Sequence, residues 1–178
     1  MKKILAAVLA ALLLVSLAAC GESKKAEPAE AETQLANPWT DAESAEDAAQ
    51  KAVVGYFMLP EKGAETACGA ISWSGYRYME HLAQADGAIG AAELTVRKGL
   101  KQDSKDVSGD YTEYKHKWTQ EIDYWTVNCF GNEEGRCMKA IWLSDNFSYS
   151  IVVRGQGDLR ETYGVDAETL NTLVNAIQ

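Results

Sequence analysis

The sequence predicts an α+β domain: an antiparallel β-meander of about six strands with an N-terminal and a C-terminal helix packed on one face. Three observations lead there. Apolar residues recur at helical spacing near residues 45–53 and again at 170–177. Between those stretches the period of the apolar residues is two. Clusters of Gly, Asp, Asn and Ser separate the period-two runs.

The chain opens with an export signal, which is set aside before any fold is argued. Met1, Lys2 and Lys3 form a short positive region, and Ile4 to Leu17 is apolar apart from Ser16. That stretch falls short of the roughly 20 residues a membrane-spanning helix needs. It ends in Leu17-Ala18-Ala19-Cys20-Gly21, small residues that suit an extended protease site. A cysteine just after the cut resembles the lipobox of bacterial lipoproteins. The resemblance implies that residues 1–19 are removed and that Cys20 is lipidated and becomes the first residue of a chain held at the extracytoplasmic face of the cell membrane. Each buried methylene contributes about 0.8 kcal/mol, and a single acyl chain binds only reversibly. Two or three chains on Cys20 hold a domain stably.

Residues 20–36 follow, rich in Glu, Lys, Ala and Ser with Pro28 and no aromatic side chain. They carry too little apolar surface to offset their ordering entropy and read as a disordered tether. Residues 37–178 then form a single domain. Thr40 and Glu43 make a capping-box pattern, Ala45, Ala48, Ala49, Ala52 and Val53 share a stripe, and Gly55 is a C-terminal stop. A helix is expected over about 41–54. The strand runs follow, each with apolar or aromatic residues on alternate positions: Tyr76 to Leu82, Leu94 to Arg97, Tyr114 to Thr119, Trp125 to Cys129, Ile141 to Leu143 and Phe147 to Val153. Ala85-Asp86-Gly87, Ser108-Gly109-Asp110, Asn132 to Gly135 and Ser144-Asp145-Asn146 read as the breakers between them. Asp166 caps a last helix carrying Leu170, Leu173, Val174 and Ile177.

Charge narrows the function. Lys2 and Lys3 leave with the signal, taking 17 basic residues to 15 against 26 acidic, a formal charge of −11. That balance argues against nucleic-acid binding and against attraction to anionic lipid headgroups. Cys68, Cys129 and Cys137 remain once Cys20 is set aside. If the turn between Cys129 and Cys137 centres on Glu133, the two cysteines face each other and a disulfide is within reach. A centre displaced by half a residue offsets them, and both then read as small buried hydrophobes. Three cysteines without a CxxC, and only His81 and His116, give no zinc spacing, and no cofactor is expected.

Asn37-Pro38-Trp39, Arg77-Tyr78-Met79, Glu93 to Gly99, Ser108 to Tyr111 with Glu113-Tyr114, and Ser148-Tyr149-Ser150, together with the lipobox and the acidic tether, resemble an uncharacterised group of small cell-surface lipoproteins of anaerobic Gram-positive gut bacteria. The resemblance covers nearly the whole mature chain. It implies the address and the fold, and no activity.

No residue set amounts to a catalytic signature, and the chain is expected not to be an enzyme. Asp103, Asp106, Asp110 and Glu113 miss the calcium-loop spacing and read as a solvated loop. His116, between Tyr114 and Trp118, has no nucleophile assigned to it. Gly155-Gln156-Gly157 lacks the strand–helix setting of a phosphate cradle. The aromatic side chains weigh more: Tyr114, Trp118 and Trp142 are a candidate binding face, Trp142 being out of phase with Ile141 and Leu143. The alternative is that both faces are covered and these rings are core. A non-enzymatic binding module with an unknown envelope protein or small ligand as its partner is therefore the first functional expectation. A glycan or peptidoglycan hydrolase using Glu80, Glu93 or Glu113 and a lipid-handling or stress-sensing lipoprotein are the alternatives.

Overall fold

Residues 37–178 are described by the computed structural model, and their period-two stretches pair into one eight-stranded antiparallel sheet. The expected signal peptide, Cys20 and the expected tether lie outside the described residues. The strands are β1 (Thr40–Ala42), β2 (Ile71–Met79), β3 (Leu82–Ile89), β4 (Ala92–Leu100), β5 (His116–Ile122), β6 (Trp125–Gly131), β7 (Lys139–Leu143) and β8 (Phe147–Arg154). Helix α1 (Ala45–Ala52) follows β1, and α2 (Ala167–Ala176) closes the chain after a 3-10 turn at Gly157–Leu159. The described residues are thus mainly β, with two short helices.

The spatial order is β1-β2-β3-β4-β8-β7-β6-β5. Two four-stranded meanders meet where β4 pairs with β8, in register from Glu93↔Arg154 to Leu100↔Phe147. Because β4 lies at the centre and β5 at an edge, the connection 101–115 has to cross β8, β7 and β6. It does so on one face, bonded through Ser148 Oγ to Ser104 O at 2.6 Å and through Lys139 Nζ to Asp110 O at 3.0 Å. The crossing leaves Lys139–Trp142 of β7 and Ser148–Val153 of β8 buried throughout.

One alternating set of strand residues, including Ala83, Ala85, Leu94, Val96, Ile151, Val153, Ala140, Trp142, Val127 and Cys129, forms a single apolar cluster with Ala48, Ala49 and Ala52 of α1 and Leu170, Leu173, Val174 and Ile177 of α2. The other set is polar at the centre: Gln84 and Asp86 of β3, Thr95 and Arg97 of β4, and Ser150 and Arg154 of β8.

Eight strands replace the expected six. Thr40–Ala42, expected to open the first helix, pairs instead with Tyr76–Tyr78 as β1. Ser44 is the cap of α1, accepting Asp47 N–H at 3.1 Å, so the capping residue lies four positions beyond Thr40. The stop is Val53 in the left-handed region at φ 58°, two residues before Gly55. The run Tyr76 to Leu82 is two strands, turned at Glu80-His81, with His81 at φ 60°. Ala85-Asp86-Gly87, expected as a breaker, is the middle of β3. Gly87 is there for space, since a Cβ would lie 2.0 Å from Ser72 O across the ladder. The C-terminal helix agrees with the sequence: Asp166 accepts Thr169 N–H at 2.9 Å, a bond that draws its carboxyl below the usual range.

The β6–β7 hairpin decides the cysteine geometry. Its register is Cys129↔Ala140 and Phe130↔Lys139, which moves the turn centre past Glu133 and puts Ala140, not Cys137, opposite Cys129. Both thiols are buried and free, and they contact each other side by side. That contact, followed by burial, pushes the Cys137 thiol well up. Among the described residues no helix is long and apolar enough to cross a membrane.

Candidate functional site

The polar face of the sheet holds a concavity of about 300 Å³ between β3, β4, β8 and the crossing loop. Three guanidinium groups enter it from three strands: Arg77 of β2, Arg97 of β4 and Arg154 of β8. Cross-strand register brings the first two together, because Arg77 and Arg97 both stand opposite Gln84.

Each arginine is fixed by a partner on a neighbouring element. Arg77 donates from Nε and Nη2 to Asp86 Oδ2, at 3.1 and 2.6 Å. Asp86 also accepts from Gln84 Nε2 at 2.8 Å and from Thr95 Oγ1 at 3.1 Å. Arg97 donates Nε–H to Gln84 Oε1 at 2.7 Å and Nη1–H to Val107 O at 3.3 Å. Burial draws its guanidinium below the usual value, with the charge of Asp86 opposing. Trp39 lies over both groups, 5.8 Å from Arg77 and 5.1 Å from Arg97. Arg154 donates to Asp110 Oδ1 at 3.1 Å and stands opposite Glu93, which also lines the concavity.

The loop side is built by short polar residues that bond their own backbone. Asp106 Oδ1 accepts Ser108 N–H at 2.9 Å, Ser108 Oγ accepts Asp110 N–H at 3.1 Å, and Asp110 Oδ1 accepts Thr112 N–H at 3.1 Å. Burial alone raises the Asp110 carboxyl, but bonds from Thr112 and Tyr114 and the charge of Arg154 bring it below the usual range. Gly109 sits at φ 62°, where a Cβ would lie 2.0 Å from Arg97 Nη1. Glycine at this position is what lets the Arg97 guanidinium into the concavity.

Tyr114, Trp118 and Trp142 do not share a binding face. Trp142 is fully buried and stacked on Tyr149, with centroids 5.3 Å apart and planes at 7°. Tyr114 is buried on the opposite side of the sheet, bonded to Asp110 and 6.2 Å from the Phe130 ring. Trp118 lies half-buried on the edge strand β5, beside the exposed His116. His81 bonds Asp103 at 2.8 Å, well exposed. Glu93 lines the arginine concavity, Glu113 lines a neighbouring one, and Glu80 lies in the β2–β3 turn, so the three carboxylates do not converge. Among the described residues no group of three or more His, Cys, Asp or Glu side chains is placed to hold a metal.

The arrangement offers rigid donors on strands, several acid groups and the hydroxyls of Thr95 and Ser108. Each guanidinium has five N–H donors, and Arg154 uses one of them on Asp110. The site is equipped to hold an oxygen-rich group by paired hydrogen bonds. Sequence alone displayed Arg77 and Arg97 only as outward alternates. The signal that was there is polar residues of matching parity on runs that turn out to be neighbours. Comparison of the chain with known protein families, with curated proteins and with solved structures finds no match.

Proposed function

We propose that this chain is an extracytoplasmic, membrane-anchored binding module, without catalysis of its own, which takes a small oxyanion-bearing ligand in the Arg77–Arg97–Arg154 concavity. The observation that carries the reading is the convergence of three guanidinium groups on rigid strands, one of them admitted by Gly109. The lipobox at Cys20 and the resemblance to small surface lipoproteins support the address. Residues of both helices join the apolar cluster formed by the other set of strand residues, not the polar set that lines the concavity. A volume of about 300 Å³ suits a ligand the size of an amino acid, a short dicarboxylate or a uronic acid. Glu93 and Thr95 stand ready for its hydroxyl or amino groups.

Two measurements test this. The mature protein is expected to partition into detergent and to carry the mass of acyl chains on Cys20, with Cys20→Ala abolishing both. A water-soluble, unmodified mature chain refutes the anchor. A thermal-shift screen with amino acids, dicarboxylates, uronic acids and sugar phosphates is expected to give a saturable rise in Tm. Arg97→Gln or Arg154→Gln removes a charge-assisted interaction of about 1.5–3 kcal/mol and is expected to weaken that ligand about 10–100-fold. Gly109→Ala, which displaces Arg97, is expected to do the same. A flat screen, or an affinity untouched by Arg97→Gln, refutes the site.

A further inference from the structure

One end of the sheet gathers the β2–β3, β5–β6 and β7–β8 turns and the end of α1. The register fixes this: Leu82 pairs with Gly99, Leu100 with Phe147, Leu143 with Ser148 and Ile122 with Trp125. Ala52 O accepts His81 N–H at 3.1 Å and so brings α1 to the same end. Here lie three of the most exposed large apolar side chains: Val53 at 72 %, Tyr56 at 61 % and Tyr124 at 76 %.

Between them lie the rings of Phe147, Trp125 and the buried Tyr149. Gly55 rests on the Phe147 ring, where a Cβ would lie 3.4 Å from it. Phe147 and Tyr149 flank Lys98 Nζ, with ring centroids at 4.4 and 5.2 Å. Trp125 lies 6.3 Å from Tyr149, and Tyr124 lies 4.8 Å from Trp125. Val53 adds a second sign. It is β-branched and left-handed, at φ 58° and ψ 37°, a strained conformation for such a residue. Burial in the fold does not offset that strain, because the side chain is turned to solvent. A hollow beside it carries Lys101 and Lys105 against Asp145, a basic spot on an acidic chain.

The chain also enters the fold here, since Thr40 pairs with Tyr78 beside the β2–β3 turn. Sixteen residues separate Cys20 from Asn37. Even fully extended they span no more than about 60 Å. We infer that this rim docks onto the surface of the bilayer, its rings at the headgroup level and Val53 in the acyl boundary, and so sets the orientation of the domain. The inference rests on the anchor reading of Cys20. Amphipathic rings favour that interface, and a tether holds the rim at high effective concentration, so that a weak contact suffices.

The test uses the full mature lipidated chain in phosphatidylcholine–phosphatidylglycerol vesicles, compared with the same chain in detergent. Amide exchange of residues 53–58, 122–125 and 143–147 is expected to slow on the order of tenfold on the vesicles. Brominated acyl chains are expected to quench tryptophan fluorescence, with Trp125→Phe removing most of the effect. Combining Val53→Asp, Tyr56→Ser and Tyr124→Ser, all at exposed positions, is expected to abolish protection and quenching while the chain stays vesicle-bound. A bound chain whose rim exchanges as fast as in detergent overturns the docking and leaves the anchor standing. A chain that fails to stay on vesicles overturns both. Protection that appears only at high surface density, with rim-to-rim crosslinks, assigns the surface to a second copy and overturns the bilayer assignment.

Discussion

Trp142→Ala is expected to lower the free energy of unfolding by about 3–5 kcal/mol, read as a shift of the urea midpoint at constant slope. The ring is fully enclosed by the apolar cluster and stacked on Tyr149. Alanine therefore leaves a cavity where the fold cannot easily collapse. In a domain of ordinary stability, about 5–15 kcal/mol, that is much of the total. Trp142→Phe is expected to cost far less, about 1–2 kcal/mol. It keeps most of the ring volume and removes an indole Nε1 that is buried without a hydrogen-bond partner among the described residues, a group whose burial unmet costs about 1–3 kcal/mol. The contrast between Ala and Phe separates a core role from a binding role. If Trp142→Ala leaves the urea midpoint in place, the burial described here is wrong.

The same tryptophan shows where the sequence stops being legible. Alternation distinguishes inside from outside only when one face of a strand is wet. Ile141 and Leu143 set the apparent core stripe, and Trp142 fell on the other side of it. In the structure Lys139 to Trp142 are all buried, because residues 101–115 cross over β7 on their way to the sheet edge. That crossing follows from the pairing of β4 with β8, some fifty residues apart, which no local pattern reveals. Turns misled for a related reason. Glu80-His81 turns the chain without glycine or proline, while Gly87 sits inside a strand to admit Ser72 O. What was legible is the C-terminal helix and its Asp166 cap, which depend on residues close in sequence. The arginine concavity was half legible. Arg77 and Arg97 were outward-facing by parity, but their meeting at Gln84, and the approach of Arg154 from β8, depend on register.

Lys98 carries the second large effect. It occupies a core-facing position of β4, in phase with Leu94 and Val96, and it is buried there. Its amine donates to Tyr56 O and lies between the rings of Phe147 and Tyr149. No carboxylate bonds it among the described residues. Burial pulls its pKa down to about 8. The sign follows from the protons bound in each state. The unfolded lysine keeps its proton up to about 10.4, while the folded one releases it near 8, so between those values the unfolded state binds more protons and stability rises with pH. Below pH 8 the folded protein carries the full cost of the buried charge, at most about 3 kcal/mol and partly offset by the two rings. Lys98→Met, similar in volume and uncharged, is expected to raise stability by about 1–3 kcal/mol at pH 7, with the gain fading toward pH 10. The difference between wild type and Lys98→Met is the quantity to measure. Buried Tyr114 and Tyr149, whose hydroxyls are pushed up by burial, make both proteins less stable above about pH 10 and cancel in it. A difference that stays constant from pH 7 to 10 overturns the assignment. A Lys98→Met protein that is more stable but whose rim no longer settles on vesicles gives the buried amine its reason: it holds the Tyr56 carbonyl, and with it the exposed ring, in place for the bilayer.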